Sequence, residues 1–199
     1  MQMSSETPAD LTKDLPFQLK AEDFIGYAEI DIKENSERDI VNALSNIKRA
    51  IENRMDSILF AFKYEELAKD WNFPQKMERL NKLSLIAPRI LRKINSIRNL
   101  LEHEYQIPQK EEVEEAYDVS VLFLAYTKNF IKRHIIQYEY YLDKGSSRTF
   151  VRWEFKKKHA EIEIDKYQKD KTVYKNKYRV EATNPNYDEW IKFTVQLFY

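Results

Sequence analysis

Cysteine is absent from this chain, and glycine is scarce. Without cysteine there can be no disulfide, thiolate metal site or thiol nucleophile. The two glycines, Gly26 and Gly145, stand far apart, which excludes a glycine-rich phosphate loop or a dinucleotide fingerprint. Three histidines are too few to favour a multi-histidine zinc site, so we expect no metal and no cofactor. The remaining chemistry is that of single histidines, arginines and carboxylates.

Long apolar runs and an excess of either charge are also missing. The most apolar run, residues 119–126, is far shorter than the roughly 20 residues of a membrane helix. Residues 1–20 are polar and lack an apolar signal core. Lys+Arg and Asp+Glu both number 33, which argues against nucleic-acid binding by bulk charge but allows a local basic cleft. We therefore expect a soluble, cytoplasmic protein with no membrane partner.

Hydrophobic periodicity predicts helices up to about residue 142. Ser36 followed by Asp39 resembles a capping box and begins a long amphipathic helix, whose apolar positions recur every three or four residues up to Phe62. Its predicted polar face carries Lys48, Arg49, Glu52, Asn53 and Arg54. Further helices are predicted from Pro74, from Pro88, and from Pro108 to about residue 142.

After Gly145 the apolar residues alternate with polar ones, which predicts strands. About four antiparallel strands are expected, near 151–155, 160–164, 173–182 and 189–198, with turns at 156–158, 168–171 and 183–186. We predict a flexible leader over 1–23, with a short strand or ordered turn at 24–32. A helical bundle over 24–145 and a β module over 146–199 follow. The expected fold is mainly α, and α+β overall; the sheet could instead pack on the helices as one unit.

One segment near the end of the helix from Pro88 concentrates chemically active residues. It reads Arg98-x4-His103-x-Tyr105, with Asn99 and Glu102 inside it. Arginine holds phosphate by charge and a two-pronged donor geometry, and histidine transfers protons near neutral pH. Residues five apart lie about 140° apart around an ideal helix. Arg98 and His103 therefore converge only if the helix ends or distorts, or if a second subunit supplies the partner.

These side chains suit cleavage of RNA without a metal. A ribose 2′-hydroxyl attacks the adjacent phosphate, with His103 as general base or acid and Arg98 neutralising the charge on the phosphate oxygens. Asn99 orients the phosphate or the imidazole. The expected product is a 2′,3′-cyclic phosphate, and DNA is spared because it lacks the 2′-hydroxyl.

Chance and structural roles are the alternatives for this segment. An arginine that precedes a given histidine with four to six residues between them arises by chance with a probability on the order of 0.15. Arg152 with His159 is a second loose match, on a predicted strand and turn. The structural alternative is an Arg98–Glu102 ion pair with His103 placed favourably at a helix C-terminus. The added amide and tyrosine make the first match more specific.

Four other features have structural interpretations that we favour. We expect His134 to be a surface or partly buried structural residue and the basic turn at 156–158 to be a solvated loop. The many C-terminal tyrosines more often pack a sheet face than stack on bases. Glutamates 111, 112, 114 and 115 suit a helix start better than a metal site.

The segment Arg98-Asn-x3-His103-x-Tyr105, late in a helical bundle and followed by Pro108 and an acidic helix start, resembles the HEPN domain. The resemblance covers roughly residues 36–142. It implies a four- to five-helix bundle, a homodimer through that bundle, and metal-independent endoribonuclease activity on RNA. An Arg/His pair from each subunit would share one cleft. The implied site consists of catalytic Arg98 and His103, supporting Asn99, Glu102 and Tyr105, and, as weaker substrate contacts, Lys48, Arg49 and Lys93.

The Arg-x4-His-x-Tyr form is similar to HEPN toxins that are paired with a minimal nucleotidyltransferase antitoxin. In those toxins the antitoxin adenylylates the tyrosine after the histidine, which by position is Tyr105. The resemblance implies a toxin or a phage-defence or stress effector, with an antitoxin or defence-system partner. The predicted leader and sheet depart from those compact toxins. The alternative is a non-catalytic, HEPN-like nucleotide-binding or protein-interaction module; a DNA-binding regulator lacks a helix-turn-helix signature.

Overall fold

The computed structural model combines α-helices with one antiparallel sheet, so the fold is mainly α, and α+β overall, as the change in sequence period predicts. It describes residues 2–34, 36–86, 89, 91–92, 96, 107–144, 147–156, 159–169 and 171–198.

The chain divides into two compact units. The sheet unit comprises residues 1–13, 59–70 and 129–199, and the helical unit comprises residues 14–58 and 71–128. This division differs from the predicted boundary at residue 145, because the chain passes from one unit to the other four times. The differences arise at elements for which the periodicity of apolar residues predicts the wrong type or the wrong bounds.

The helical unit is built from α1 (Ala21–Glu34), most of α2 (Glu37–Ala61), α4 (Phe73–Lys82) and α5 (Lys110–Thr127). Arg89, Leu91, Arg92 and Ser96 are helical as well. The sheet unit contains the last residues of α2 and three more helices, α3 (Glu65–Ala68), α6 (Asn129–Lys132) and α7 (Pro185–Phe198).

The start and the apolar stripe of α2 confirm the sequence prediction. The Ser36 backbone N–H donates to Asp39 Oδ2 at 3.2 Å, and the Asp39 N–H donates to Ser36 Oγ at 3.3 Å. The predicted apolar positions from Ile40 to Phe62 are all buried. These side chains form the largest buried stripe on any one helix of the described residues.

The prediction that Arg54 lies on an exposed polar face of α2 is wrong, because α1 partly covers that face. The side chain of Arg54 is only 4% exposed, and its Nη2 lies 2.5 Å from Glu22 Oε1 of α1. Asn46 Nδ2 also donates to Asp31 Oδ2 of α1 at 3.0 Å. Burying a guanidinium requires a carboxylate partner, which Glu22 supplies.

Residues 24–32 are helical, so the predicted short strand or turn is wrong. They belong to α1, which begins where the Lys20 N–H donates to Asp23 Oδ2 at 2.8 Å. The two buried residues of α1, Ala21 and Ala28, are seven positions apart and share one helix face. Helix α1 packs against α5.

Five strands form the sheet in the order β1 (Gln2–Ala9), β2 (His134–Lys144), β3 (Ser147–Phe155), β4 (His159–Gln168) and β5 (Lys171–Glu181). All neighbouring strands are antiparallel. The predicted turns at 156–158 and 168–171 fall at the links from β3 to β4 and from β4 to β5, which confirms three of the predicted strands. Buried residues alternate with partly exposed ones at the start of β4, whereas β5 is exposed from Lys171 to Arg179.

The first two strands depart from the sequence predictions. Residues 2–9, predicted as a flexible leader, pair with β2 from Gln2–Tyr141 to Ala9–His134. The helix predicted to reach residue 142 ends earlier, because β2 begins at His134. The isoleucines and tyrosines of β2 favour an extended conformation, and this strand has a partner on each side.

The C-terminal segment is a helix, so the fourth predicted strand is wrong. Pro185 occupies the first position of α7, and the Asn186 N–H donates to Asn184 Oδ1 at 2.9 Å. Its buried residues, Tyr187, Ile191, Thr194 and Val195, recur at helical spacing.

Two tyrosines attach α7 to the segment that follows α2. The Tyr187 hydroxyl donates to the Phe62 carbonyl oxygen at 2.9 Å, and the Tyr64 hydroxyl donates to an Asp188 carboxylate oxygen. The two tyrosine rings meet edge to face, with centroids 5.5 Å apart. Burial raises the pKa of Tyr187 well above its ordinary value, so the hydroxyl remains a donor at any working pH.

Tyr187→Phe is expected to lower the free energy of unfolding by about 1–2 kcal/mol, because it leaves the buried Phe62 carbonyl without this donor. Urea denaturation measures the difference. Tyr27→Phe is the matched control, since Tyr27 is 45% exposed. Equal stability of the two variants would contradict the role of the buried hydroxyl.

Candidate functional site

The predicted catalytic segment lies outside the described residues. This applies to Arg98, Asn99, Glu102, His103 and Tyr105, and also to Lys93. Their assigned roles therefore remain predictions.

The residues flanking this segment in sequence are helical. On the N-terminal side, Ser96 Oγ donates to the Arg92 carbonyl oxygen at 2.9 Å. On the C-terminal side, α5 begins after Gln109, whose N–H donates to Glu112 Oε2 at 3.1 Å. This bond confirms that the glutamates begin a helix. The segment thus occupies the stretch of chain between two helical regions of the helical unit.

Lys48 and Arg49, the weaker predicted substrate contacts, have different surroundings although they are adjacent in α2. Lys48 Nζ lies 3.7 Å from Glu52 Oε2 and 6.0 Å from the centre of the Phe73 ring. Arg49 is exposed, and its Nη1 donates to Asn46 Oδ1 at 3.3 Å. Arg49 therefore presents its charge to solvent, whereas the charge of Lys48 is offset by a carboxylate.

The carboxylate beside Lys48 belongs to a charged cluster that joins α2 to α4. Lys76 Nζ lies 2.7 Å from Asp56 and 3.5 Å from Glu52. Burial raises the pKa of Asp56, and the ammonium of Lys76 opposes that shift. Among the described residues, two lysines face two carboxylates here, so this cluster has no excess positive charge to offer an RNA phosphate.

His134 is fully buried, so its predicted position at the surface or partly buried is wrong, although its contacts are those of a structural residue. It is 1% exposed, and its imidazole meets the Phe62 ring edge to face, with centroids 4.9 Å apart. Burial, with a smaller contribution from the charge of Lys63, lowers the pKa of His134 to about 3. An imidazole that is neutral and buried at physiological pH cannot exchange protons with a substrate in solvent.

The second loose match, Arg152 with His159, does not form a site. Arg152 Nη1 lies 3.1 Å from Glu163, its partner across the β3–β4 ladder. Glu163 is four residues from His159 along β4, which is about 13 Å on an extended strand. His159 Nε2 instead lies 3.6 Å from Glu161. Strand register thus separates the arginine from the histidine.

A polar–aromatic cluster lies on β5, between Tyr174 and Tyr178. The hydroxyls of Tyr174 and Tyr178 are 2.6 Å apart, and Asn176 Nδ2 donates to them at 3.1 and 2.8 Å. Lys166 Nζ lies over the Tyr174 ring, 5.3 Å from its centre. Sequence analysis noted the tyrosines but missed Asn176 and Lys166. The period of two at 174, 176 and 178 is the signal that places three of them on one face.

Comparison of the chain with protein-family models, with curated proteins and with solved structures finds no match in any of the three. Within the described ranges, no group of three or more His, Asp or Glu side chains is arranged to hold a metal ion. No helix in that part of the chain is long and apolar enough to cross a membrane. Functional assignment therefore depends on the residues of this chain alone.

His134 is expected to make the protein less stable in mild acid. Its pKa is about 3 in the folded state against an ordinary value near 6.5, so the stabilisation is complete above pH 6.5 and is lost as the pH falls towards 3. The slope from this group is at most ~1.4 kcal/mol per pH unit. Urea denaturation of wild type and His134→Leu from pH 7 to pH 4.5 measures it.

The expected result is a smaller loss of stability in His134→Leu than in wild type over that pH range. Phe130→Leu, a change at a buried neighbour of Phe62 that does not titrate, is the control and should follow the wild-type slope. Parallel curves for wild type and His134→Leu would contradict the lowered pKa.

Proposed function

We propose that this protein is a metal-independent endoribonuclease of the HEPN type, with Arg98 and His103 as its catalytic residues. The observation that carries the proposal is the sequence Arg98-Asn-x3-His103-x-Tyr105, which precedes the capped start of α5. Support comes from the helical unit, in which α1, α2, α4, α5 and further helical residues provide the several helices that a bundle of this type needs.

The surroundings of the other two histidines favour His103 for the proton transfers. His134 is buried with a pKa of about 3, and His159 lies beside Glu161 in the sheet. General acid–base catalysis requires a group that reaches the reacting atoms and changes its protonation near the working pH. His103 is the remaining imidazole of the chain.

The proposed reaction is an attack by the ribose 2′-hydroxyl on its own 3′-phosphate. His103 takes the hydroxyl proton, the 2′ oxygen bonds to phosphorus, and the bond to the 5′ oxygen of the next nucleotide breaks. The leaving oxygen receives a proton, so the products are a 2′,3′-cyclic phosphate and a 5′-hydroxyl. Arg98 binds the phosphate oxygens, where negative charge develops in the transition state. Asn99 orients the phosphate or the imidazole.

A homodimer explains how Arg98 and His103, which are five residues apart, can act on one phosphate. On a regular helix Arg98 and His103 point in different directions, so one copy does not bring both to one phosphate. Two copies meeting through the helical unit supply two imidazoles, one to accept the proton and one to donate it. Glu102 and Tyr105 border this shared cleft in the proposal.

The proposed biological role is that of a toxin or of a phage-defence or stress effector that acts on RNA in the cytoplasm. An antitoxin or defence-system partner would restrain it. Tyr105 occupies the position that is adenylylated in the similar toxins, so we assign it as the candidate modification site.

A non-catalytic, HEPN-like nucleotide-binding or protein-interaction module is the second candidate. The observation that favours it is the charge balance on α2 and α4, where Glu52 and Asp56 offset Lys48 and Lys76. A nuclease gains from excess positive charge near its site, and this surface lacks it.

Cleavage of a mixed-sequence single-stranded RNA in excess EDTA tests the proposal. Wild type should cut the RNA and leave cyclic-phosphate ends. Arg98→Ala and His103→Ala should each lower the rate by about 10²–10⁴-fold, since each removes a group that acts in the transition state. Gel analysis of end-labelled RNA measures the rate and the product ends.

The second Arg/His pair supplies the matched controls. Arg152→Ala and His159→Ala change the same residue types on β3 and β4 and should leave the rate unchanged. Equal cutting by all variants would locate the activity at another site or in a contaminant. Absence of cutting by wild type would contradict the nuclease and favour the binding module.

A further inference from the structure

Positive charge is concentrated near the turn of the β4–β5 hairpin. Between residues 165 and 179, six basic residues face two acidic ones, Asp165 and Asp170, in a chain whose total charge is zero. The basic residues are Lys166, Lys169, Lys171, Lys175, Lys177 and Arg179. Residues 165–179 therefore have an excess of four positive charges, whereas the whole hairpin, residues 159–181, has six basic and five acidic residues.

The two faces of the hairpin differ in how this charge is balanced. On one face, Lys177 Nζ lies 3.0 Å from Glu161 and 3.3 Å from Glu163, and Lys175 Nζ lies 3.9 Å from Asp165. These carboxylates offset the lysines there.

The other face carries a cation without carboxylates. Strand register places Lys166 opposite Tyr174, Ile164 opposite Asn176 and Ile162 opposite Tyr178. The remaining pair of this face in β4 and β5 is Ala160 with Val180, so these eight residues include one lysine and no acid. Ala160, Ile162 and Val180 are buried, whereas Lys166, Tyr174, Asn176 and Tyr178 are exposed.

The side chains of Tyr174 and Tyr178 extend along the strand, close to the surface of the sheet. Residues four apart on a strand are about 13 Å apart, which is near the combined reach of two tyrosine side chains. The hydroxyls nevertheless meet at 2.6 Å, above Asn176. Both rings must therefore extend along the strand towards each other rather than stand out from the sheet. Tyr174 is 38% exposed and Tyr178 is 40% exposed, so ring surface is available to solvent.

This arrangement matches the chemistry of an unpaired nucleotide. An exposed aromatic face stacks with any base, and an ammonium beside it pairs with the adjoining phosphate. Lys166 lies over the Tyr174 ring, 5.3 Å from its centre, and would leave that ring face for the phosphate when a base stacks there. Lys171, which is exposed, follows the hairpin turn. A duplex hides its base faces, and an acidic peptide has no rings to stack in their place.

We infer that the hairpin patch, defined as Lys166, Lys171, Tyr174, Asn176 and Tyr178, binds single-stranded RNA. The inference rests on the proposed function, because it assigns to that nuclease a substrate class and a docking surface on the sheet unit. The bases stack on Tyr174 and Tyr178, and the lysines contact the phosphates.

Fluorescence anisotropy with a labelled single-stranded RNA tests the patch. The full-length His103→Ala protein in EDTA is used, so that cleavage does not interfere with binding. Tyr174→Leu and Tyr178→Leu remove the rings and should each weaken binding about ten-fold, whereas Tyr174→Phe and Tyr178→Phe keep the rings and should bind as the parent does. Equal binding by the leucine variants, or no binding by the parent, would overturn the inference.

Salt dependence tests the lysines. Lys166→Gln and Lys171→Gln should each reduce the slope of log affinity against log salt by about 0.7. Lys69→Gln and Lys128→Gln, at exposed lysines outside the hairpin, are matched controls and should leave the slope unchanged. Equal slopes for all four variants would contradict phosphate contacts at the patch. Competition by poly-glutamate as strong as that by RNA would identify an acidic protein partner and also overturn the inference.

Failure of this inference can be told apart from failure of the proposed function. Cleavage by wild type combined with binding that ignores the hairpin variants overturns the patch and leaves the nuclease standing. Hairpin-dependent binding without cleavage by wild type supports the patch and contradicts the nuclease.

Discussion

The buried stripe of α2 is the constraint on which both units depend. One 25-residue helix carries apolar side chains at helical spacing from Ile40 to Leu59, and the chain beyond it adds Phe62 and Tyr64. In the turn that follows α2, Lys63 has a φ of 62°, a left-handed conformation that glycine usually adopts. A chain with two glycines has a lysine there instead, and the burial of Phe62 and Tyr64 on either side offsets the backbone cost. Those two residues then contact His134 and Tyr187.

The periodicity of apolar residues predicts a helix or strand correctly when the residues that define it are close together in the sequence. Helix α2 has its capping pair and an unbroken apolar stripe, and clear turns separate β3, β4 and β5. All four of these elements were therefore predicted. Strand β2 was predicted as helix because Phe130, Ile131 and Ile135 continue the spacing of α5, while its partners lie in distant β1 and in β3. Helix α7 is rich in strand-favouring aromatics, yet Asn184 and Pro185 form a helix start. The strand prediction followed this composition and did not use the capping signal at Asn184 and Pro185.

The candidate site shows the same limit for charge. A sequence places Lys48 and Arg49 on one polar face, but it does not show that Glu52 offsets the charge of Lys48 while Arg49 faces solvent. The sequence predicts Arg54 on an exposed polar face because it predicts a leader and a strand or turn where helix α1, which supplies Glu22, lies. A neighbouring element decides whether a charge is available for a ligand, and sequence period describes one element at a time. On this account RNA chemistry belongs to Arg98 and His103, and RNA docking to the hairpin patch.

The central claim is that a ribose 2′-hydroxyl is the nucleophile. A DNA oligonucleotide that contains one ribonucleotide tests it most directly, because only one position then carries that hydroxyl. The account predicts a single cut after that ribonucleotide in excess EDTA, with a 2′,3′-cyclic phosphate on the upstream fragment and no cutting of the all-DNA control. Cutting of the all-DNA strand, or a cut at the ribonucleotide that leaves a 3′-hydroxyl, would contradict it.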